Sequence, residues 1–259
     1  MAGTNLLPAP PPFAPDWALF LDVDGTLLDF ADAPDAVHVA PQLLDALASL
    51  QRQLDGAIAL VSGRTLEQLD ALFAPLQLAA AGLHGLQRRG ADAAMPAAIA
   101  PEPLRRLRDD AEAVVARFPG ALVEDKGPTL ALHWRGNPEA ASALRALADA
   151  ALPSLPDYRL QPGNQVIELR PAGADKGAAI DAMLEAEPFR ARRPVFIGDD
   201  HTDEHGFEIV LARGGVAVLV GDRQPSVARH GLRDPDAVRA WLLAAARAPQ
   251  PEAASGAAA

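Results

Sequence analysis

Hydrophobic positions along this chain fall into two alternating patterns. Largely apolar runs of strand length occur at 17–23, 57–61, 78–83, 194–197 and 216–220. Between them the apolar residues recur three or four apart. Leu43, Leu44, Leu47, Leu50 and Leu54 define such a helix over 41–54. Further helices are expected at about 65–73, 175–187, 203–212 and 236–247. Strands that alternate with helices predict an α/β fold, a Rossmann-like parallel sheet covered on both faces. Ligands of such sheets bind in the crevice at the carboxyl ends of the strands.

The middle of the chain breaks this rhythm. Leu104, Leu107, Ala111, Val114, Val115 and Phe118 mark an amphipathic helix, and a second is expected near 139–152. The runs ALVEDKG (121–127) and PTLALHWR (128–135) lie between them. YRLQPGNQVIELRP (158–171) follows and reads as a hairpin around Pro162-Gly163-Asn164. Helix, hairpin, helix, hairpin predicts a small α+β cap domain with an antiparallel sheet, inserted into the first domain. The expected division is a core at 16–86 and 171–247 and a cap at 87–170. The Pro-rich residues 1–15 are expected to be a flexible arm and 248–259 a disordered tail. Alternation along the inserted strands puts Val123, Leu130, Leu132, Trp134, Ile167 and Leu169 on one face, toward the helices. Glu124, Lys126, His133, Arg135 and Glu168 share the other. That polar face is either a solvated surface or, if it closes over the crevice, a lid suited to a hydroxyl-rich ligand.

Charge and composition narrow the function. The chain carries a net charge of −11, with no Lys/Arg block interleaved with aromatics, so no nucleic-acid partner is expected. It has no cysteine, which excludes thiolate chemistry and disulfides. A hydrophobic content of 49% supports a sizeable core. No apolar run reaches the roughly 18 residues of a membrane span, and the N-terminal stretch lacks the pattern of a signal peptide. The expectation is a cytoplasmic protein with no membrane partner. Protein partners are not indicated.

Polar clusters end four of the core segments at the same sheet edge. The first strand runs into Asp22-Val23-Asp24-Gly25-Thr26 and the second into Ser62-Gly63-Arg64. Lys176 opens a helix, and the fourth strand leads into GDDHTDE at 198–204. Two carboxylates about 4 Å apart repel by roughly 4 kcal/mol at an effective dielectric of about 20. A buried strand ending in Asp22 and Asp24 therefore calls for a cation, and a hard ion such as Mg²⁺ takes oxygen ligands. Ser62 could instead cap the helix at 65, Lys176 could be an ordinary surface lysine, and Asp200 could be structural. Thr26 reads as a loop-shaping residue and Asp29 as a solvated one. His201 and His205 are four apart, but Thr202 stands where a zinc protease motif needs Glu.

DVDGTL, followed by Ser62, Lys176 and GDDxxDE in that order, resembles the haloacid-dehalogenase-like superfamily of aspartate-nucleophile phosphotransferases. The resemblance implies a Mg²⁺ held by Asp22, the carbonyl of Val23 and Asp199, with Asp24, Asp200 and Asp203 completing the acidic set. It implies Asp22 as nucleophile, Asp24 as general acid and base, and Ser62 and Lys176 as groups that meet the phosphoryl oxygens. VSGR (61–64), GLHG (82–85), EDK (124–126) and VIELRPAGADKG (166–177) are, together with GDDHTDE, similar to bacterial trehalose-6-phosphate phosphatases. By that resemblance Glu124, Lys126 and Glu168 are candidate contacts to sugar hydroxyls, with Gly63 and Arg64 in the same binding set and His84, Arg88, His133 and Arg135 as secondary candidates. The implied substrate is trehalose 6-phosphate. Sucrose 6-phosphate or mannosyl-3-phosphoglycerate hydrolysis, and a non-catalytic sugar-phosphate sensor, are the alternatives.

Overall fold

The computed structural model describes residues 7–29, 38–90, 99–173 and 175–248. In chain order the elements begin with β1 (Trp17–Leu21), α1 (Pro41–Gln53), β2 (Ile58–Val61), α2 (Leu66–Phe73), β3 (Ala79–Gly82) and β4 (Gln87–Arg89). The middle section forms α3 (Glu102–Val115), β5 (Leu122–Asp125), β6 (Leu130–His133), α4 (Ala141–Ala151), β7 (Tyr158–Gly163) and β8 (Val166–Pro171). The chain then returns through α5 (Lys176–Leu184), β9 (Arg193–Gly198), α6 (Glu204–Ala212), β10 (Val216–Val220), β11 (His230–Leu232) and α7 (Pro235–Arg247).

Seven strands form the larger sheet in the order β11-β10-β9-β1-β2-β3-β4. All neighbours are parallel except β3 and β4. β1 lies between β2 and β9, and all five of its residues are buried. A central parallel strand is covered on both faces, which is why it reads as an unbroken apolar run. Leu43, Leu47 and Leu50 carry the buried stripe of α1, which packs with α7, while α5 packs with α6. Trp17 stacks on Trp241 at 6.0 Å, tying the first strand to the last helix.

The edges differ from the sequence expectation. β4 and β11 have three residues each, all half-buried. Such short strands give no readable period. β4 carries the larger sheet to residue 89, past the expected start of the insertion at 87. Residues 7–15, expected to be loose, are seated on the core. Leu7 and Phe13 pack against it, and the Pro8 carbonyl accepts a hydrogen bond from Gly231 N at 2.9 Å. The tail beyond 248 lies outside the described residues.

The smaller sheet is antiparallel, in the order β5-β6-β8-β7. Leu130, Leu132, Trp134, Ile167 and Leu169 bury one face against Leu104, Leu107 and Ala111 of α3 and Leu144 of α4, with Val123 partly buried beside them. The period-two alternation thus sends the polar set to the opposite face. No helix among the described residues is long and apolar enough to cross a membrane.

Candidate active site

Asp22 continues the pairing of β1 with β9, its amide donating to Ile197 O at 3.0 Å. That register brings it beside the loop that follows β9. The chain then turns sharply. The carbonyl of Val23 accepts the amides of Thr26, Leu27 and Leu28, at 3.4, 2.9 and 2.9 Å. Gly25 makes the turn at φ +86°, and a Cβ there would lie 2.3 Å from Asp199 Oδ2. Only glycine fits both the backbone and the contact. Thr26, expected merely to shape the loop, lies 3.1 Å from Asp199 Oδ1 and 3.3 Å from Asp22 Oδ2, so its single proton is shared between two acids.

Lys176 is the first residue of α5, placed by Asp175, whose side chain caps the helix by accepting Ala178 N at 3.0 Å. Its buried Nζ donates to Asp22 Oδ1 and to Asp203 Oδ1, each at 2.7 Å. It is no surface lysine. The other oxygen of Asp203 accepts the amides of Asp199 and Asp200, at 2.9 and 3.0 Å. Asp203 therefore fixes both the lysine and the loop.

Asp22, Asp199 and Asp203 each offer an oxygen within 4.8 Å of the others, and they are the metal-capable cluster among the described residues. Asp24 and Asp200 stand apart from it. Asp24 pairs with Arg64. Asp200 caps the turn at 201–203, accepting from Thr202 N and Oγ1 at 2.7 and 2.6 Å. The Val23 carbonyl is engaged by its three amides, and three of the expected acids share the side-chain cluster. Burial pushes the Asp22 carboxyl well above its usual range, with Asp199 and Asp200 adding to it against Lys176. Burial and the neighbouring carboxylates likewise raise Asp199 to about 7 and Asp203 to about 8. Burial would lower Lys176, but Asp203 and Asp22 outweigh it and hold its ammonium charged. Crowded oxygen donors with one ammonium among them fit a hard divalent cation.

Ser62 is buried, and its Oγ accepts Arg64 N at 3.2 Å. It does not cap α2, because Thr65 does so in a reciprocal box with Gln68. Arg64 forms a fork on Asp24, with Nε to Oδ2 at 2.8 Å and Nη2 to Oδ1 at 2.6 Å.

The smaller sheet lies over this edge. Its register sets Glu124 opposite Ala131 and Ala131 opposite Glu168. The small side chain between two carboxylates leaves room for Lys126, whose Nζ is 3.5 Å from Glu124 and 3.6 Å from Glu168. Lys126 also donates to Gly63 O at 3.2 Å, and Gln68 of α2 donates to Glu124 at 3.0 Å. Glu168 accepts from His84 Nε2 at 3.0 Å. Gly63 must lack a side chain, since a Cβ would meet that nitrogen at 2.7 Å. Burial lowers the His84 pKa despite Glu168, so a neutral ring donates through Nε2. Burial would raise Glu124, but His133 and Lys126 bring it down to about 2, and Lys126 and His84 likewise hold Glu168 far below its usual range. A cavity of about 660 Å³ opens between the sheets, lined by Asp24, Arg64, Glu124, Lys126, His133 and Asp199 among others. Small-molecule sites run from roughly 300 to 1,000 Å³.

Other candidates separate clearly. Arg135 lines the cavity and donates to Asn164 O at 3.2 Å, whereas Arg88 sits on β4 opposite Ala81 and is not part of the lining. His205 is held by Asp175 at 2.6 Å, and no metal-capable group of the described residues contains it or His201. Asp29 pairs with Arg239 at 3.0 Å. Sequence reasoning missed Gln68 and Arg223. Arg223 donates to the carbonyls of Asp199 and Asp200, both at 3.1 Å, and pairs with Glu204. Only the fold brings its loop to the one after β9.

A parallel core sheet, an α+β unit between its strands and an Asp–Lys cluster at the strand ends define a haloacid-dehalogenase-like hydrolase. A solved hydrolase of that class from Bacteroides thetaiotaomicron has the same fold, with a TM-score of 0.63 over 86% of this chain and 97% of that one at 15% identity. Within the class, the chain belongs to the trehalose-phosphatase family, whose model matches residues 20–235. A probable trehalose-phosphate phosphatase of Sinorhizobium fredii is 43% identical over 233 residues, covering 89% of this chain and 88% of that protein. The trehalose-6-phosphate phosphatase of Escherichia coli is 38% identical over 240 residues, covering 92% and 90%.

Proposed function

We propose that this chain hydrolyses trehalose 6-phosphate to trehalose and phosphate, with Mg²⁺ as cofactor. The observation that carries the reading is the stacking of two clusters around one cavity. Asp24, Arg64 and Asp199 line it from the core, and Glu124, Lys126 and His133 line it from the smaller sheet, with Asp22, Lys176 and Glu168 buried against these clusters. Charged carboxylates accept hydrogen bonds from sugar hydroxyls, and an ammonium donates them.

Asp22 is the nucleophile. Its carboxylate attacks phosphorus as the bond to the sugar oxygen breaks, and Asp24 gives that oxygen its proton. Water then attacks phosphorus of the aspartyl-phosphate, its proton passes to Asp24, and phosphate and Asp22 are released. Lys176 orients Asp22 and offsets phosphoryl charge, and Ser62 hydrogen-bonds a phosphoryl oxygen. Asp22, Asp199 and Asp203 would hold Mg²⁺, which supplies further charge neutralisation. Asp200 then acts on the loop's geometry through its cap. Residues from the end of β4 to β8 act as a cap domain that encloses the sugar, with Gly63, Arg64 and His84 meeting it from the core side.

Phosphate release from a panel of sugar phosphates tests this, with Asp22→Asn as control. Trehalose 6-phosphate is expected to be turned over far faster than sucrose 6-phosphate, glucose 6-phosphate or mannosyl-3-phosphoglycerate. Equal rates across the panel would sink the substrate assignment.

A further inference from the structure

His84 is held in an unfavourable conformation. It and Leu83 both take left-handed backbone, at φ +53° and +49°, which residues with side chains rarely adopt. Their amides are tied to the loop after β2, Leu83 N to Arg64 O at 2.8 Å and His84 N to Ser62 O at 2.9 Å. Gly63 of the same loop leaves room for the ring. Backbone strain of this kind gathers at functional sites.

The ring makes one side-chain hydrogen bond. Nε2 meets Glu168 Oε2 at 3.0 Å, and the buried Nδ1 has no partner among the described residues. A buried histidine kept for the fold alone generally has both nitrogens satisfied. This bond crosses from the core to the smaller sheet, and it leaves Glu168 one oxygen. That oxygen, Oε1, is buried and has no hydrogen-bond partner among the described residues. It lies 3.6 Å from Nζ of Lys126, which lines the cavity. The ammonium balances its charge there from beyond hydrogen-bond distance. Arg170, two residues along β8, bonds Gln161 instead, at 3.0 Å. A buried carboxylate oxygen without a donor is unfavourable unless a donor arrives, and a sugar hydroxyl is such a donor.

We propose that His84 is a positioning residue for Glu168: its imidazole holds Oε2 from the core side, so that Oε1 is kept for a sugar hydroxyl beside Lys126. His84 meets the sugar through Glu168 and has no second donor for a contact of its own. The bond requires the smaller sheet to be seated on the core, so Glu168 is set only where the cavity is enclosed. This deepens the reading of the smaller sheet as the sugar-binding face and rests on it.

Turnover of trehalose 6-phosphate and of p-nitrophenyl phosphate, an ester with no sugar hydroxyl, tests the role with Mg²⁺ present. The variants are His84→Phe, His84→Asn, His84→Gln, Glu168→Gln and the double variant His84→Phe with Glu168→Gln, with a melting curve for each. Phe keeps the bulk of the ring without a donor. Asn suits the left-handed backbone, but its amide is too short to reach Glu168. Gln places an amide donor near the position of Nε2. His84→Phe and His84→Asn are each expected to lower kcat/KM for trehalose 6-phosphate at least about tenfold more than for the sugar-free ester, and His84→Gln to recover most of that difference. In the double variant the further loss beyond Glu168→Gln is expected to stay within about twofold, because the two residues act as one unit. Equal losses on the two esters, with or without a lower melting temperature, would assign His84 a structural role and overturn the proposal. An additive loss in the double variant would overturn it as well. So would a sugar-selective loss in His84→Phe with none in Glu168→Gln, which would make His84 a direct contact. Failure of the sugar panel with the expected pattern intact would leave the positioning role standing and remove only the substrate assignment.

Discussion

Lys126, just past the end of β5, donates a hydrogen bond across the cavity to the carbonyl of Gly63, in the loop that follows β2. The same ammonium stands between Glu124 and Glu168, so one group joins the two sheets and separates two acids. Lys126→Ala leaves the carboxylates facing each other with a sugar-binding donor gone. KM for trehalose 6-phosphate is expected to rise by about tenfold to a hundredfold, with a smaller loss in kcat, because the contact is made equally in ground and transition states. Steady-state phosphate release checks it. An unchanged KM would remove Lys126 from the substrate site.

Lys176→Met tests the buried cluster. The substitution strands Asp22 and Asp203 without their shared ammonium. Removing one partner of a buried pair costs about 3–5 kcal/mol. Urea unfolding in the absence of divalent cations should show a loss of that order, and turnover should fall at least about a thousandfold. A variant as stable as wild type would mean that water already reaches these groups.

Divalent cation should stabilise the fold by mass action. Mg²⁺ at about a hundred times its dissociation constant adds about 2.7 kcal/mol if it binds only the folded state. Melting temperature is expected to rise with Mg²⁺ for wild type and to stay flat for Asp199→Asn. Gly25→Ala should behave like the latter, because its new methyl would lie 2.3 Å from Asp199 Oδ2 and push that carboxylate aside. A full Mg²⁺ response in either variant would place the ion elsewhere.

Glu124 sets a pH dependence with a definite sign. Its pKa is about 2 in the fold, below the unfolded value of about 4.3. A depressed carboxyl contributes stability that is fully present above the unfolded value and is lost as pH falls toward the folded one. Urea unfolding should therefore show Glu124→Gln less stable than wild type at pH 6, with the gap narrowing as pH is lowered toward 3. A constant gap would place the effect in packing and not in charge.

The alternation of strands and helices was legible because a parallel core strand is apolar on both faces and its helices on one. The inserted sheet was legible for the opposite reason: its period of two separated Leu130, Leu132 and Trp134 from Glu124, Lys126 and His133. β4 and β11 were not legible, since three half-buried residues carry no period. The seating of residues 7–15 was hidden as well, because Leu7 meets Gly231 across most of the chain's length.

The sequence by itself determined which residues stand at the sheet edge. An apolar run ends where its covering helices end, and the polar residues that follow are then on show. Asp22, Asp24, Ser62 and Asp199 needed nothing more than that, whereas Lys176 opens a helix and was read from its motif. The tertiary structure decided which of those residues touch. The turn at Gly25 lets Asp199 approach, Asp24 pairs with Arg64, and Asp22, Asp199 and Asp203 form the cluster. Register across β5, β6 and β8 puts Ala131 between two glutamates and makes room for Lys126. Arg223, distant from every motif, reaches Asp199 only when two loops fold together. Spacing along a chain fixes the direction of a side chain within a strand, but a partner across a loop is fixed by backbone turns and register, which no local pattern records.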